Sequence, residues 1–311
     1  YIIACAPAMH AGLVGKHLFE KLCKINVEVD IASEFRYRKP IIDEHTFCIY
    51  ISQSGETADT IAALKLAKLN GAKTLAISNV IGSSITREAD YSIYTHAGPE
   101  IAVASTKAYT SQVVLLAILA MYFAEILGSC KNEILDDLKN DIIDLPSKIE
   151  QILDNTEGVK DFAKKVYTEK DMFFLGRGTD YCASLEGSLK LKEISYIHSE
   201  AYAAGELKHG PIALIENGIT VIGIITDPNL VEKTISNIQE VITRGAKTLI
   251  ITNQILPNTH FDYVINIPET NPLISPILSV IPMQLLSYYI SKFKGLDVDK
   301  PRNLAKSVTV E

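Results

Sequence analysis

One nine-residue pattern occurs twice in this chain, and it constrains the fold more than any other feature. Residues 71–79 read GAKTLAISN and residues 245–253 read GAKTLIITN, so their first five letters are identical. Each copy follows a segment with helical periodicity and is itself continuously apolar, as a buried parallel strand is. Because matching parts upstream have nearly the same spacing, the chain is predicted to contain two copies of one α/β unit.

Predicted strands and helices alternate along the first copy. The strands are residues 2–5, 26–31, 46–51, 73–79 and 91–94, and the helices are residues 8–24, 57–69 and 105–127. This alternation predicts an α/β fold in which each copy is a mostly parallel sheet flanked by helices, flavodoxin-like and doubly wound. Ligands of such folds bind at the carboxyl ends of the strands, so the loops there are the first candidates for a site.

The pattern divides the chain into four parts. These are a first subdomain at residues 1–128, a helical linker at 129–158, a second subdomain at 159–295 and a C-terminal tail at 296–311. Pro146 is expected to interrupt the linker helix, and Pro301 favours an extended tail. The chain begins at Tyr1 inside a predicted strand, so we expect it to be a fragment of a longer protein.

Composition and charge narrow the possible functions. Hydrophobic residues make up 47% of the chain and charged residues 22%, which predicts a large buried core. The net charge of -7 argues against a nucleic-acid partner, because such a partner needs a basic face. The five cysteines show no paired spacing, which argues against a metal site and favours reduced thiols in a cytoplasmic protein. The longest apolar run, residues 113–124, is too short to span a bilayer, so no membrane partner is expected.

A loop rich in hydroxyl and amide groups joins a predicted strand of the first copy to its next helix. Residues 52–57 read SQSGET, which places Ser52, Gln53, Ser54 and Thr57 where the strand ends and the helix begins. Unpaired backbone N–H groups and the positive end of the helix dipole lie at such a point and favour a phosphate. An ordinary helix cap needs one such side chain, whereas this loop has four, so we interpret it as an anion site.

The second copy differs at this place. Its corresponding residues 226–229 read TDPN, in which Asp227 would repel a phosphate and Pro228 removes a donor. The first half is therefore predicted to bind the anion. Ser105, at the start of the predicted helix 105–127, gives this half a second helix N-terminus that would grip the same phosphate, with a plain helix cap as the equally weighted alternative.

Candidate proton-transfer groups lie in the second copy. Lys190 and Glu193 are three residues apart in a predicted helix and so share a face; a solvated salt bridge is the alternative. Residues 200–211 then combine small residues and acids with His209. An acid near a His is the pairing that proton transfer needs, and the reference pKa of His is about 6.5. A structural His is the alternative.

The C-terminal tail mixes apolar and basic residues. Leu304 and Val308 are expected to anchor it on the body of the protein, so that Lys306 delivers an amine. Most chain termini fray, and a surface tail with a stray lysine is the alternative.

Five segments form a set that is specific when taken together: residues 52–57, 103–107, 189–194, 206–211 and 300–311. The set resembles the sugar isomerase (SIS) half of glucosamine-6-phosphate synthases, also called glutamine–fructose-6-phosphate aminotransferases, over essentially the whole chain. The resemblance implies two tandem SIS subdomains and an enzyme that makes glucosamine-6-phosphate from fructose-6-phosphate. It implies ammonia from glutamine by way of a glutaminase domain that is absent here, and no metal or organic cofactor.

The resemblance also implies roles for single residues. Those implied to bind substrate are Cys5, Ser52, Gln53, Ser54, Thr57, Val103, Ser105 and Ala305. Glu193 would move a proton between C1 and C2 of the open-chain sugar, with Lys190 close to the ring oxygen. His209, presented from the neighbouring subunit of a homodimer, would help to open the ring. Lys306 would be the amine associated with the carbonyl of fructose-6-phosphate.

One segment departs from the family pattern. The family has Cys-Gly-Thr at the end of the first strand, whereas this chain reads Cys5-Ala6-Pro7-Ala8. The second copy keeps Gly178-Thr179 at the matching place. Alanine takes a positive φ only at a cost and proline lacks an N–H, so we hypothesise weaker or altered sugar binding.

Two other functions compete with this interpretation. A stand-alone sugar-phosphate isomerase or deglycase of the same fold would not be expected to share the tail residues 302–306. A non-catalytic sugar-phosphate sensor would have no need for both Glu193 and His209.

Overall fold

The computed structural model describes residues 1–257 and 260–310, which form two compact units. The first unit contains residues 1–136 together with the tail from Asn303, and the second contains residues 137–302. Asn258, Thr259 and Glu311 lie outside the described residues; Glu311 is the last residue of the tail segment noted above.

Strands and helices alternate in the first unit, as the sequence predicts. Its strands are β1 (Ile2–Ala4), β2 (Val29–Ile31), β3 (Phe47–Ser52), β4 (Lys73–Ser78) and β5 (Tyr91–Tyr94). Its helices are α1 (Ala6–Cys23), α2 (Ala32–Phe35), α3 (Ala58–Leu69), α4 (Ser84–Glu88) and α5 (Lys107–Leu127), and α6 (Asn132–Asp154) follows.

The second unit repeats this alternation. Its strands are β6 (Asp171–Gly176), β7 (His198–Ala203), β8 (Thr220–Ile225), β9 (Lys247–Thr252) and β10 (Tyr263–Asn266). Its helices are α7 (Glu157–Val166), α8 (Thr179–Ser195), α9 (Val231–Ile242) and α10 (Pro276–Phe293), with short 3-10 turns at Leu207–His209 and Pro211–Leu214.

Both units contain a five-stranded, all-parallel sheet with the same strand order. The order is β2-β1-β3-β4-β5 in the first unit and β7-β6-β8-β9-β10 in the second. This is the flavodoxin-like order, in which the chain reverses its winding between the first and third strands and binds ligands outside their carboxyl ends. The predicted fold class is confirmed, and the loops after β1, β3, β6 and β8 are where a site is expected.

The repeated pattern performs the same structural task in both units. Thr74 donates from its backbone N–H and its hydroxyl to one carboxylate oxygen of Asp90, both at 2.9 Å. Thr248 donates in the same way to Asp262, at 2.8 and 3.1 Å. Each aspartate N–H returns a bond to its threonine hydroxyl, at 3.0 and 3.2 Å. The two copies therefore share side-chain geometry as well as strand order.

Helix α5 is the most apolar long helix of the first unit. By length and composition it is the one helix among the described residues that would be long and apolar enough to cross a membrane. Its buried residues, which include Tyr109, Val113 and Leu116, face the unit's own core. A core helix passes the same test of length and composition, and 33% of the apolar window of this helix is buried within the protein.

Three sequence expectations about element bounds are wrong. Helix α6 runs without interruption through Pro146, because this residue is exposed and water can replace the single backbone bond that proline removes. Strand β2 is limited to three residues, because its neighbour β1 has only three residues to pair with it. Helix α5 begins at Lys107, two residues after Ser105.

The repeated threonine bonds should contribute measurably to stability. Thr74→Val and Thr248→Val are each expected to lower the free energy of unfolding by about 1–2 kcal/mol, because each removes both hydrogen bonds of a buried threonine hydroxyl. Urea unfolding followed by circular dichroism measures this. Thr220→Val is the matched control: its buried hydroxyl has no hydrogen-bond partner among the described residues, so the change should cost little. Equal losses in all three variants would contradict the assignment.

Candidate functional site

The SQSGET loop is a compact turn between β3 and α3. The hydroxyls of Ser52 and Thr57 share a hydrogen bond of 3.0 Å, and the Gly55 N–H donates to Ser52 Oγ at 3.0 Å. Gly55 has a φ of +69°, and a Cβ there would lie 2.1 Å from Ser83 Oγ, so only glycine fits. The loop thus folds on its own hydroxyls, and none of them caps α3, whose N-terminus has no side-chain cap.

The acid within this loop is occupied elsewhere. Glu56 accepts hydrogen bonds from the backbone N–H of Ser84 at 2.8 Å and from the Ser84 hydroxyl at 2.6 Å. These bonds lower the pKa of Glu56, which therefore stays ionised as it stabilises the start of α4. Gln53 and Ser54 remain partly exposed beside it, so the loop offers polar groups to a ligand although its sequence contains an acid.

The C-terminal tail lies against this loop within the first unit. The carbonyl of Val308 accepts a hydrogen bond of 3.2 Å from the N–H of Ala58, the first residue of α3. Lys306 Nζ donates to the carbonyl of Ala102 at 2.5 Å, which brings its amine beside Val103. The tail therefore connects the start of α3 with the segment that precedes α5.

The expected apolar anchoring of the tail is wrong. Leu304 is 43% exposed and Val308 is 55% exposed, so neither side chain is buried in the body of the protein. The extended backbone instead holds the tail through the hydrogen bond at Val308, and Ala305 is exposed next to Lys306.

The N-terminus of α5 is not capped by Ser105. Thr106, not Ser105, precedes the first residue of α5, and the Ala108 N–H donates to the Glu100 carboxylate at 3.2 Å. The plain-cap reading of Ser105 is therefore wrong. Ser105 is partly buried one residue outside the helix and close in sequence to Ala102, whose carbonyl Lys306 contacts.

The turn from β1 into α1 contains a positive φ angle, which is costly for the alanine found there. Ala6 has a φ of +40°, and Gly178 at the matching place of the second unit has a φ of +58°. The fold therefore demands a positive φ at this position in both units. Cys5, just before it, lies with its Sγ 3.8 Å from Thr60 Oγ1 on the first turn of α3, and burial raises the pKa of its thiol.

Lys190 lies buried between two carboxylates on α8. Its side chain is 1% exposed, and its Nζ lies 3.4 Å from Glu186 Oε1 and 2.5 Å from Glu193 Oε2. Burial lowers the pKa of Lys190, but the two carboxylates outweigh burial and raise it above the ordinary value. The alternative of a solvated salt bridge is wrong. Within this trio Glu193 is the partly exposed member, at 17%, so a ligand can reach its carboxylate.

Glu186 was not identified from the sequence, although a signal was present. It precedes Lys190 by four residues, which places both on one face of a helix. Its importance comes from its burial, since its side chain is 0% exposed. Close packing buries this face: a Cβ at Gly187 would lie 2.3 Å from Met283 Sδ on α10.

His209 lies at the end of a short turn after β7. It is exposed, and its backbone N–H donates to the Glu206 carbonyl at 3.0 Å. The role of its side chain stays a prediction. Residues 1–257 and 260–310 contain no group of three His, Cys, Asp or Glu side chains placed to hold a metal ion.

Comparison with known proteins identifies one family. The sequence profile of the SIS domain matches residues 1–122 and 165–291. A glutamine–fructose-6-phosphate aminotransferase (isomerizing) of Clostridium tetani is 61% identical over the whole chain, and that of Clostridium perfringens is 58% identical. The chain spans about half the length of these curated relatives, 52% in both cases.

Solved structures give the same result. The C-terminal domain of glucosamine-fructose-6-phosphate aminotransferase from Francisella tularensis is 38% identical and superposes with a TM-score of 0.93, covering 96% of this chain and 85% of that one. A glucosamine-6-phosphate deaminase from Thermotoga maritima is 25% identical with a TM-score of 0.80, covering 99% of this chain and 89% of its own.

The strained alanine after β1 should be relieved by glycine. Ala6→Gly is expected to raise the free energy of unfolding by about 1 kcal/mol, because glycine adopts a positive φ without steric cost. Ala8→Gly, two residues further inside α1, is the control and is expected to lower it by about 0.5–1 kcal/mol. Urea unfolding measures both, and a loss of stability in Ala6→Gly would show that the backbone here is unstrained.

Proposed function

We propose a function from the premise that the chain belongs to the SIS domain family and corresponds to the C-terminal isomerase domain of glutamine–fructose-6-phosphate aminotransferases. Its substrate would be fructose-6-phosphate and its product glucosamine-6-phosphate. The observation that carries this proposal is the match to the C-terminal domain of glucosamine-fructose-6-phosphate aminotransferase from Francisella tularensis, which covers 85% of that domain at 38% identity. Ammonia would come from glutamine through a glutaminase domain of the complete protein.

The SQSGET loop would hold the phosphate of the sugar. Ser52, Gln53, Ser54 and Thr57 lie at the carboxyl end of β3, where the positive end of α3 favours an anion. The engagement of Glu56 with Ser84 supports this role, because it keeps the loop's one carboxylate bonded to α4. Holding the phosphate fixes the sugar, so that its reacting carbons stay within reach of a base.

The carboxylate of Glu193 would carry the proton. It takes the proton from C1 of the open-chain sugar, which leaves an enediol, and returns it to C2; for the aminated sugar the same transfer gives the amino sugar. Lys190 supports this role because its ammonium lies 2.5 Å from the Glu193 carboxylate and holds it in place. Glu186 would keep Lys190 charged in its buried position, since a buried ammonium needs an adjacent anion.

The remaining substrate contacts would come from three places. Cys5 lies after β1, Val103 and Ser105 precede α5, and Ala305 with Lys306 belongs to the tail. The hydrogen bond of Lys306 to the Ala102 carbonyl supports a tail that supplies an amine beside the substrate carbonyl.

The active protein would be a cytoplasmic homodimer. His209 would assist ring opening from the neighbouring subunit, with Lys190 close to the ring oxygen, and the exposure of the His209 side chain leaves it accessible to a second chain. All five cysteines are free thiols, which supports a reducing compartment.

Removal of the proposed base tests the assignment. Glu193→Gln is expected to lower the isomerisation of fructose-6-phosphate to glucose-6-phosphate by about 10²- to 10⁴-fold with little change in KM, because an amide cannot accept the proton. A coupled assay for glucose-6-phosphate measures the rate. Lys192→Gln, the exposed neighbour on the same helix, is the control and should keep the original rate. An active Glu193→Gln protein would refute the role of Glu193.

A mixing experiment tests the shared site. His209→Ala and Glu193→Gln chains, each inactive alone, should together recover about a quarter of the original rate after dissociation and reassociation. About half of the randomly mixed dimers pair unlike chains, and each has one intact site. If His209 acts within its own chain, no mixed dimer has an intact site and no activity returns.

A further inference from the structure

The second unit contains a buried carboxylate that the proposed reaction does not use. Asp180 is the second residue of α8 and is 2% exposed. The N–H of Thr226 donates to one of its oxygens at 2.8 Å, and the Thr226 hydroxyl bonds to the other. The same hydroxyl contacts Ser275 Oγ at 2.7 Å. Both oxygens are therefore held at the carboxyl end of β8.

This position corresponds to the proposed phosphate site of the first unit. The two sheets have the same strand order, so the end of β8 corresponds to the end of β3, and the start of α8 to the start of α1. In the first unit the end of β3 leads into the SQSGET loop, whose Ser52 Oγ accepts from a loop N–H. In the second unit the group that follows β8, Thr226, donates instead to a carboxylate of the chain itself.

The first unit has no counterpart of this carboxylate. When Gly178-Thr179 is matched to Ala6-Pro7, Asp180 falls opposite Ala8, which has only a methyl group. Among the described residues, no carboxylate accepts a hydrogen bond from Ser52 or Thr57. In the first unit a bound ligand would supply the negative charge at this place. In the second unit the chain supplies it through the carboxylate of Asp180.

The backbone around Asp180 is shaped for its close approach. A Cβ at Gly176 would lie 2.4 Å from the carbonyl carbon of Asp180, so glycine at the end of β6 is required for α8 to start where it does. Asp180 also lies in the first turn of α8, where the helix dipole favours an anion. Burial raises the pKa of Asp180 to about 6, the hydrogen bonds from Thr226 oppose this rise, and the charge of Asp227 adds a smaller rise.

We infer that Asp180 is a built-in anion that occupies, in the second unit, the place a phosphate takes in the first. It closes that place to external anions and fastens the start of α8 to the end of β8. Since α8 carries Lys190 and Glu193, Asp180 is also a positioning residue for these groups, and this part of the inference rests on the proposed function. With a carboxylate of the chain in this place, the second unit needs no hydroxyl-rich loop after β8.

Chemical rescue by formate tests the built-in anion independently of catalysis. Asp180→Ala removes the carboxylate, and sodium formate supplies the same group as a free ion. Formate at about 0.1 M should raise the thermal unfolding midpoint of Asp180→Ala by more than it raises that of the original chain, because only the variant has the vacant donors of Thr226. Sodium chloride at equal ionic strength controls for general salt effects. Asp227 follows Thr226 in the chain and is partly exposed, so the unfolding midpoint of Asp227→Ala should rise no more in formate than in chloride.

Kinetics test the positioning role. Asp180→Ala should lower the kcat of fructose-6-phosphate isomerisation by about tenfold or more while its KM changes by about twofold or less, since a displaced base slows proton transfer and leaves the phosphate site intact. Formate should restore part of the lost kcat. Equal losses in kcat and in phosphate affinity would instead indicate general damage and would overturn the positioning role.

The outcomes separate this inference from the proposed function. If the original chain does not isomerise the sugar, the proposed function fails, and the formate-dependent unfolding midpoint still decides whether Asp180 fills an anion site. If Asp180→Ala does not fold, Asp180→Asn replaces it: its amide oxygen can still accept from the Thr226 N–H, but its NH2 group faces the Thr226 hydroxyl and the negative charge is gone, so a lower unfolding midpoint is expected. A stable Asp180→Asn protein with unchanged kcat, or a folded Asp180→Ala protein that ignores formate, overturns the inference.

Discussion

The carboxyl ends of two parallel sheets are the constraint on which the rest of this protein depends. A parallel sheet is covered by helices on both faces, so the edge where its strands end is the place left for polar chemistry. In the first unit that edge carries a glycine-tightened loop of hydroxyls at the start of α3. In the second it carries the start of α8, the helix with Lys190 and Glu193. The strand order is the same in both units. Lys190 and Glu193 lie near the other end of α8, which runs back towards the amino ends of the strands.

The two units have the same strand order but place their carboxylates differently at the strand ends. In the first, the carboxylate of Glu56 is bonded to Ser84 on the neighbouring helix α4, and the proposal assigns the remaining polar groups of the loop to a ligand. The second fills the equivalent place with Asp180 and builds a buried trio around Lys190. Burying an ammonium is costly unless carboxylates surround it. Glu186 is therefore as necessary to this arrangement as Lys190 and Glu193.

The departure at Ala6 shows how a fold can keep a backbone geometry after the residue best suited to it is gone. The first unit imposes a positive φ on Ala6 although alanine resists it. The second unit retains glycine at the matching place. Surrounding structure therefore maintains the turn in the first unit at some cost in stability.

Much of this protein could be predicted from its sequence, since repeats, periodicity and helix spacing are local signals. The two copies, the parallel sheets, the SQSGET loop and the shared face of Lys190 and Glu193 all follow from residues close together in the chain. The tertiary structure was needed for contacts between residues far apart in the chain: Asp180 with Thr226, Val308 with Ala58, and Gly187 with Met283, next to the buried Glu186. The periodicity of the sequence shows which side chains share one face of a helix or strand. Only the packing of that helix or strand against others decides whether the face is buried, which residues it contacts and whether a charged side chain stays charged.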